Sequence, residues 1–267
     1  MRFKVLSELK RRELRELVLA TMPEEILMAQ YAMAKAFKIS ELVRVIHKGS
    51  YEWYGYTVAN RGNPELIVDI GLPKNDQNFF EYTRIGPERI AEYQESLPKD
   101  RVINGWIHSH GILEYEHFSG TDEKNQATVL DYVAAAVRKP VAKKEVVIKD
   151  LMLLVKDQCT EKDLEKGTVS LITDAPIAEA RIMESIYGSF CYAIVIGDEG
   201  WHKQEIHYQR RGILSGQTSV SKKEARIVFV DTSRSLTQAD IDALAAEVRE
   251  KIQPMTSTPE RSEKGCT

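Results

Sequence analysis

The feature that most constrains the fold is a short apolar run that ends in two histidines. Residues 102–107 are apolar except for Asn104 and Gly105 and predict a buried strand, which His108-Ser109-His110 follows directly. Because side chains alternate between the two faces of a strand, His108 and His110 project from the same face. The sequence therefore predicts two neighbouring imidazoles at the end of a buried strand.

A carboxylate follows the two histidines. Ser119 and Asp122 stand at the start of the segment 122–137, whose apolar residues recur with helical periodicity. A carboxylate in the first turn of that helix can meet two imidazoles at a strand end, and two His with one carboxylate and an open fourth position are the ligands of a catalytic zinc site. Ser-x-x-Asp is also an ordinary helix capping box, so this half of the pattern has a purely structural explanation too.

With a glutamate upstream, these residues resemble the JAMM (MPN+) metallopeptidases. The His-x-His at 108–110 and the Ser-x-x-Asp at 119–122 match the family motif, and Glu52-Trp53-Tyr54-Gly55 matches its Glu-x-x-Gly. The chain departs from the pattern between the second His and the Ser. Eight residues, 111–118, stand where the family usually has seven, and Gly111 stands where proline is common.

The resemblance implies a fold and a set of site residues. The fold is α/β: the MPN (JAB) fold, a mixed central β-sheet flanked by helices, here with an insertion after the motif helix. One catalytic Zn2+ ion is then held by His108, His110 and Asp122, with a water molecule as the fourth ligand. Glu52 is the general base for that water and then the acid for the leaving lysine amine, and Ser119 donates a hydrogen bond to the oxyanion.

The substrate tail of the resembled enzymes lies beside the segment that corresponds to residues 71–85. Three aromatic residues in that segment are candidates to contact an extended peptide, although they could equally fold back onto the core. These candidate substrate-binding residues are Phe79, Phe80 and Tyr82.

The expected function is that of a zinc-dependent isopeptidase, a deubiquitinase-like hydrolase that removes ubiquitin or a ubiquitin-like modifier from conjugates. Ubiquitin-like conjugates are thus the expected partners, and a proteasome-like or other multi-subunit assembly is a further one. Two alternatives stay open: a non-catalytic MPN-type scaffold subunit, and a JAMM peptidase that acts on a different peptide or carrier protein. A zinc deaminase is disfavoured because its Pro-Cys-x-x-Cys motif does not occur here.

Charge and cysteine content limit the setting of this activity. A net charge of −3 gives no electrostatic reason to expect a nucleic-acid partner. The 3 cysteines form no Cys-x-x-Cys pair, which favours a reducing compartment over a secreted disulfide scaffold. The charged N-terminus does not read as a signal peptide, and no apolar stretch approaches membrane-spanning length. The expected location is the cytoplasm, with no membrane partner.

Three divisions of the chain are predicted. Residues 1–37 are expected to form N-terminal helices, over 4–20 and 25–37, and residues 38–252 the catalytic domain, in which 138–187 is the insertion. Residues 253–267 are rich in Ser, Thr, Pro and charge and are expected to form a disordered tail.

Local patterns predict further elements within the catalytic domain. Strands are expected at 39–47 and 51–59 (a hairpin through Lys48-Gly49), 65–70, 168–173, 189–196, 202–209 and 225–230. Helices are expected at 87–97, 174–187 and after Thr237, and a loop at 212–223. The run 143–156 fits either a strand or a helix.

Overall fold

The computed structural model of the protein describes residues 16–78, 85–111, 115–147, 151–167, 169–176 and 181–254. This part of the chain is a mixed α/β structure with a mixed central sheet and helices, which confirms the α/β class. The chain divides into two compact units. The larger one comprises residues 22–138, 189–209 and 220 onward, and the smaller one comprises residues up to 21 together with 139–188 and 210–219.

The helices and strands of the described residues are numbered in chain order. They are β1 (Ile26–Ala29), α1 (Gln30–His47), β2 (Tyr54–Asn60), β3 (Asn63–Gly71), β4 (Asn75–Asn78), α2 (Pro87–Ser96), β5 (Arg101–Ser109), α3 (Gly120–Ala136), β6 (Lys139–Val146), β7 (Leu151–Val155), β8 (Val169–Thr173), β9 (Ile182–Ile196), β10 (His202–Gly212), β11 (Thr218–Glu224), β12 (Ile227–Val230), α4 (Gln238–Lys251) and β13 (Ile252–Pro254).

The central sheet has the strand order β11-β10-β9-β5-β2-β3-β1-β12. Strand β5 pairs antiparallel with β2 and parallel with β9, so hydrogen bonds hold it on both sides. Its residues are buried from Val102 to Ser109. At Gly105 the neighbouring backbone comes so close that a Cβ would lie 2.3 Å from the carbonyl oxygen of Tyr192. Glycine is therefore required where β5 meets β9.

Helices cover the sheet of the larger unit. Helix α1 packs on β3 and on α4, and α3 packs on β5 and on α2. Trp53, which is fully buried, donates its indole N–H to the hydroxyl oxygen of Ser40 on α1 at 2.9 Å. The core is formed mainly by β2, β5, β9 and the inner faces of these helices. The strand that ends in the two histidines thus lies in the best-buried part of this unit.

The smaller unit is stabilised by strand pairing and by hydrogen bonds to a buried carboxylate. Strand β6 pairs antiparallel with the first part of β9, and β7 and β8 form a two-stranded parallel ribbon. The buried carboxylate of Glu184 accepts hydrogen bonds from the backbone N–H groups of Leu214 and Ser215, at 3.0 and 2.9 Å. These bonds, with one from the Ser215 hydroxyl, hold the pKa of Glu184 below its usual value. The described residues of this unit contribute no apolar side chain to the buried core.

Many of the predicted elements are confirmed. The predicted strands at 65–70, 102–107, 189–196 and 202–209 lie within β3, β5, β9 and β10, and the helices at 87–97, 122–137 and after Thr237 are α2, α3 and α4. Thr237 forms the expected capping box with Asp240. Within the run 143–156, the described residues include the end of β6 and all of β7, which favours the strand interpretation.

The prediction of helices over residues 1–37 is confirmed for residues 30–37, which begin α1, and is wrong for the described residues before them. Residues 16–23 contain no helix, and residues 26–29 form β1, which pairs with β3 and β12. The predicted strand at 39–47 is instead the second half of α1. Its buried residues Ala32, Ala36, Ile39 and Val43 are spaced as one helical stripe, so the apolar run continues the helix. Lys48, predicted in a hairpin turn, ends the helix with a left-handed φ of 55°.

Three further predictions are corrected. The predicted helix at 174–187 is wrong, because β9 begins at Ile182 and pairs with β6 from there. The predicted loop at 212–223 contains strand β11, which pairs with β10. The predicted tail begins as strand β13, which pairs with β4, and residues 255–267 lie outside the described residues. The domain boundaries stay predictions, including the insertion at 138–187, whose described part falls in the smaller unit.

We expect that Gly105→Ala lowers the free energy of unfolding by about 3 kcal/mol. The added methyl group would clash with backbone atoms of Tyr192, which cannot rotate away as a side chain can. Urea unfolding followed by tryptophan fluorescence measures the change. Gly62→Ala is the matched control, because a Cβ there meets nothing within 4 Å. Equal stability of the two variants would contradict the close approach of β5 and β9.

Candidate metal centre

The two histidines at the end of β5 are buried and face the same side of the sheet. His108 is fully buried and His110 is 3% exposed. His108 lies opposite Tyr54 of β2 and beside Val195 of β9. The backbone N–H of His110 donates to the carbonyl oxygen of Ile196 at 2.9 Å. Both histidine backbones are therefore anchored to neighbouring strands.

The third group is the carboxylate of Asp122 in the first turn of α3, which is 5% exposed. The Nε2 atoms of His108 and His110 are 3.2 Å apart. Asp122 Oδ1 lies 3.3 Å from His108 Nε2, and Asp122 Oδ2 lies 3.5 Å from His110 Nε2. One nitrogen or oxygen atom from each residue thus converges on a common point, as the sequence predicts.

These separations fit a bound metal ion. Nitrogen and oxygen ligands about 2.0–2.1 Å from a tetrahedral zinc ion are about 3.3–3.4 Å apart, the edge of the tetrahedron. The 3.2 Å between the two Nε2 atoms and the 3.3 Å from His108 Nε2 to Asp122 Oδ1 agree with that value. The buried residues His108, His110 and Asp122 could therefore hold a metal ion.

Hydrogen bonding favours the imidazole form of His110 that can bind a metal. The Nδ1 atom of His110 lies 2.7 Å from the carbonyl oxygen of Tyr115. A carbonyl oxygen only accepts, so we assign the proton to Nδ1, which leaves the lone pair of Nε2 facing the other two ligands. The Tyr115 carbonyl oxygen thus orients the His110 ring through the nitrogen that faces away from His108 and Asp122.

His108 is kept neutral by its surroundings. Burial lowers the pKa of His108, and the opposing effect of Asp122 does not offset it. The indole ring of Trp106 stacks on the imidazole at 4.3 Å between ring centres and 9° between planes. A neutral imidazole offers a lone pair, which is the form that binds metal ions.

Asp122 serves as a helix cap and faces the histidines at the same time. Its Oδ2 accepts the backbone N–H of Ser119 at 2.6 Å, and its own backbone N–H donates to Ser119 Oγ at 3.2 Å. Burial on its own would raise the pKa of Asp122, but the neighbouring His108 and His110 and the backbone N–H of Ser119 hold the pKa well below the usual range. The carboxylate is therefore ionised, and the capping and ligand interpretations are compatible.

Glu52 is buried, with 3% of its surface exposed. The sequence predicts it within the strand 51–59, but it lies two residues before β2 begins. The pairing of β2 with β5 continues one residue further, because Ser109 N–H donates to the Trp53 carbonyl at 3.0 Å. Tyr54 pairs with His108, and the Trp53 N–H donates to Ser109 Oγ at 3.2 Å, so the regular backbone pairing ends here. Glu52 thus lies just beyond the end of β2 that pairs with the histidine end of β5.

Gly111 explains one departure from the family pattern. Its φ is +55°, whereas proline is restricted to a φ near −65°, so proline cannot replace it in this backbone conformation. Tyr115, Glu116 and His117 of the loop that follows are exposed, and residues 112–114 lie outside the described residues. His117 is therefore not part of the buried ligand set.

Three candidate substrate-binding residues stay untested, and two residues that contact the histidines are not part of the sequence motifs. Phe79, Phe80 and Tyr82 lie outside the described residues, so their predicted substrate contact stays a prediction. Trp106 was assigned only to the core, although its position two residues before His108 puts both on one face of β5. The contribution of Tyr115 comes from its backbone carbonyl, for which no side-chain pattern gives a signal.

Comparison with known proteins adds no family assignment. No protein-family model matches the chain, and no curated protein matches it. Among the described residues, no helix is both long enough and apolar enough to cross a membrane.

We expect the protein, purified without chelators, to carry about one Zn2+ ion per chain, and His108→Ala to lose it because three protein ligands are needed to hold the ion. Elemental analysis after gel filtration measures the metal content. His117→Ala is the control, because that imidazole is exposed, and it should keep the full metal content. Equal zinc content in wild type and His108→Ala would contradict the ligand assignment.

Proposed function

We propose that the protein is a zinc-dependent isopeptidase of the JAMM (MPN+) type, which removes ubiquitin or a ubiquitin-like modifier from conjugates in the cytoplasm. One observation carries the proposal: ligand atoms of three buried residues, His108, His110 and Asp122, lie within 4.8 Å of one another. The glutamate of the motif is buried two residues before Tyr54, which pairs with His108. The mixed sheet, with α3 following the histidine strand, is compatible with the MPN fold that the proposal includes.

The ligand set favours zinc over other common ions. Two imidazole nitrogens and one carboxylate oxygen suit zinc, whereas magnesium and calcium prefer oxygen ligands only. A zinc ion held by these residues supplies Lewis-acid activation of water, whose pKa it lowers to about 7. The rest of the chemistry belongs to residues of the chain.

Glu52 is the proton carrier in this proposal. It is buried and lies two residues before Tyr54, which pairs with His108. In the first step it takes a proton from the attacking water, and in the second it returns that proton to the nitrogen of the leaving lysine. The peptide carbonyl carbon gains the water oxygen as its bond to that nitrogen breaks.

Ser119 stabilises the oxyanion that forms between these steps. Its Oγ already accepts the backbone N–H of Asp122, so the hydroxyl proton is available to a further acceptor. The side chain is partly exposed, whereas the ligands behind it are buried. Such a preset donor acts on the charge that develops in the transition state.

The two alternatives differ in what they require of the site. A non-catalytic scaffold has no use for three converging polar groups in the core, which are costly to bury without a bound partner. A JAMM peptidase acting on another peptide or carrier protein uses the same metal centre. A ubiquitin-like substrate, and a proteasome-like or other multi-subunit partner, are therefore the parts of the proposal that rest on the motif resemblance.

We expect Glu52→Gln to keep its zinc and to lose about 10³-fold in turnover, because the amide cannot accept the proton from water. The measurement is cleavage of a panel of lysine-linked ubiquitin and ubiquitin-like conjugates, with zinc content determined on the same samples. Glu95→Gln, an exposed position on α2, is the control and should match wild type.

Two outcomes would overturn separate parts of the proposal. A wild-type turnover rate for Glu52→Gln would remove Glu52 as the base. If zinc-loaded wild-type protein left every conjugate intact, the substrate assignment would be wrong and the carrier-protein alternative would take its place.

A further inference from the structure

We propose that Asp198 is a positioning residue that holds the segment carrying Glu52 in register with the segment carrying His110. Asp198 lies in the turn after β9. Its hydrogen bonds reach Ser50 and Gly111, which stand beside Glu52 and His110 in the chain. Its catalytic meaning rests on the proposed function, whereas its effect on the backbone does not.

Asp198 bonds to both segments at once. Its carboxylate oxygen Oδ2 accepts the hydroxyl of Ser50 at 2.5 Å, and Ser50 stands two residues before Glu52. Its backbone N–H donates to the carbonyl oxygen of Gly111 at 2.9 Å, and Gly111 directly follows His110. The Asp198 side chain is 6% exposed, and the guanidinium of Arg44 on α1 lies 3.7 Å from the same carboxylate oxygen.

The two segments also touch each other directly. A Cβ placed on Gly111 would lie 2.7 Å from Ser50 Oγ and 3.2 Å from the Ser50 carbonyl oxygen. This approach is possible because Gly111 has no side chain and adopts a φ of +55°. Arg44, Ser50, Gly111 and Asp198 form a contact group that we call the Asp198 clamp.

The position of the clamp explains why it is needed. Strand β2 begins at Tyr54 and β5 ends at Ser109, so Glu52 and His110 lie just beyond the regular pairing. Just before these two residues, a backbone hydrogen bond from the Ser109 N–H to the Trp53 carbonyl oxygen joins the two segments. The Asp198 clamp joins the two segments again further out, where Ser50 lies next to Gly111. Glu52 and His110 are thus held between the end of the ladder on one side and the Asp198 clamp on the other.

Loss of the Asp198 carboxylate should therefore loosen the site without removing a ligand. Ser50 loses its acceptor, and Arg44 loses its anionic partner. Residues that orient metal ligands indirectly typically change metal affinity or activity by about 10–100-fold when they are mutated. We expect an effect of that size from Asp198→Ala.

Four variants separate positioning from general loss of stability. Asp198→Ala removes the acceptor and keeps the backbone N–H, whereas Asp198→Asn keeps an oxygen that can accept the Ser50 hydroxyl. Ser50→Ala removes the donor of the same bond. Glu199→Ala changes the next residue of the same turn, whose side chain is exposed, and serves as the matched control.

The first measurement is amide hydrogen exchange of the metal-free protein, read by mass spectrometry. We expect faster exchange in peptides that cover residues 50–56 and 105–111 for Asp198→Ala and Ser50→Ala, with α4 unchanged as an internal reference for global stability. Wild-type exchange in both segments of Asp198→Ala would overturn the proposal, as would an equal increase throughout the protein.

The second measurement is Zn2+ affinity by chelator competition, followed by conjugate cleavage. We expect Asp198→Ala to lose about 10–100-fold in the ratio of kcat to KM or in affinity, Asp198→Asn to recover most of it, and Ser50→Ala to add nothing to Asp198→Ala in the double variant. Additive losses would overturn the clamp as a single unit. Failure of the proposed function is distinguishable, because an inactive, zinc-free wild-type protein would still show the exchange differences.

Discussion

The pairing of β5 on both sides is the constraint on which the rest of this structure depends. Pairing with β2 and β9 holds the strand on both sides from Gly105 to His108, and the close approach at Gly105 leaves no room for a slip in register. A shift by one residue would turn both imidazoles to the opposite face. Backbone pairing thus sets the positions of His108 and His110 independently of any bound metal ion. The residues that fix this register lie in the core of the larger unit.

Asp122 shows how one carboxylate can satisfy two demands. A helix start needs an acceptor for its exposed N–H groups, and a buried pair of imidazoles needs an anion or a metal ion nearby. Oδ2 accepts the Ser119 N–H while the same carboxylate faces both Nε2 atoms. The cap also fixes the side chain, because an aspartate held by its own first turn has little rotameric freedom. Helix capping therefore presets the ligand geometry.

The sequence predicts those parts of the molecule whose pattern is local. Strand β5 and helices α2, α3 and α4 follow from the spacing of apolar residues, and the convergence of His108, His110 and Asp122 follows from strand alternation and a helix start. Strand β1 and the start of β9 could not be predicted in this way, because pairing with distant strands decides them. The error over α1 was avoidable: its buried stripe runs without interruption through Ile39 and Val43. The contacts of Asp198 join segments far apart in the chain, which no local pattern reveals.

The smaller unit has a consequence for how this protein can change over evolutionary time. None of its described apolar side chains is fully buried, so a substitution there removes fewer packing contacts than one in the core of the larger unit. Selection for folding therefore acts weakly on its side chains, with exceptions such as the buried Glu184. The larger unit is restricted by its close-packed interior, where even a methyl group matters. New contacts with other molecules can accordingly arise in the smaller unit with little loss of stability, while the candidate metal centre lies in the larger unit.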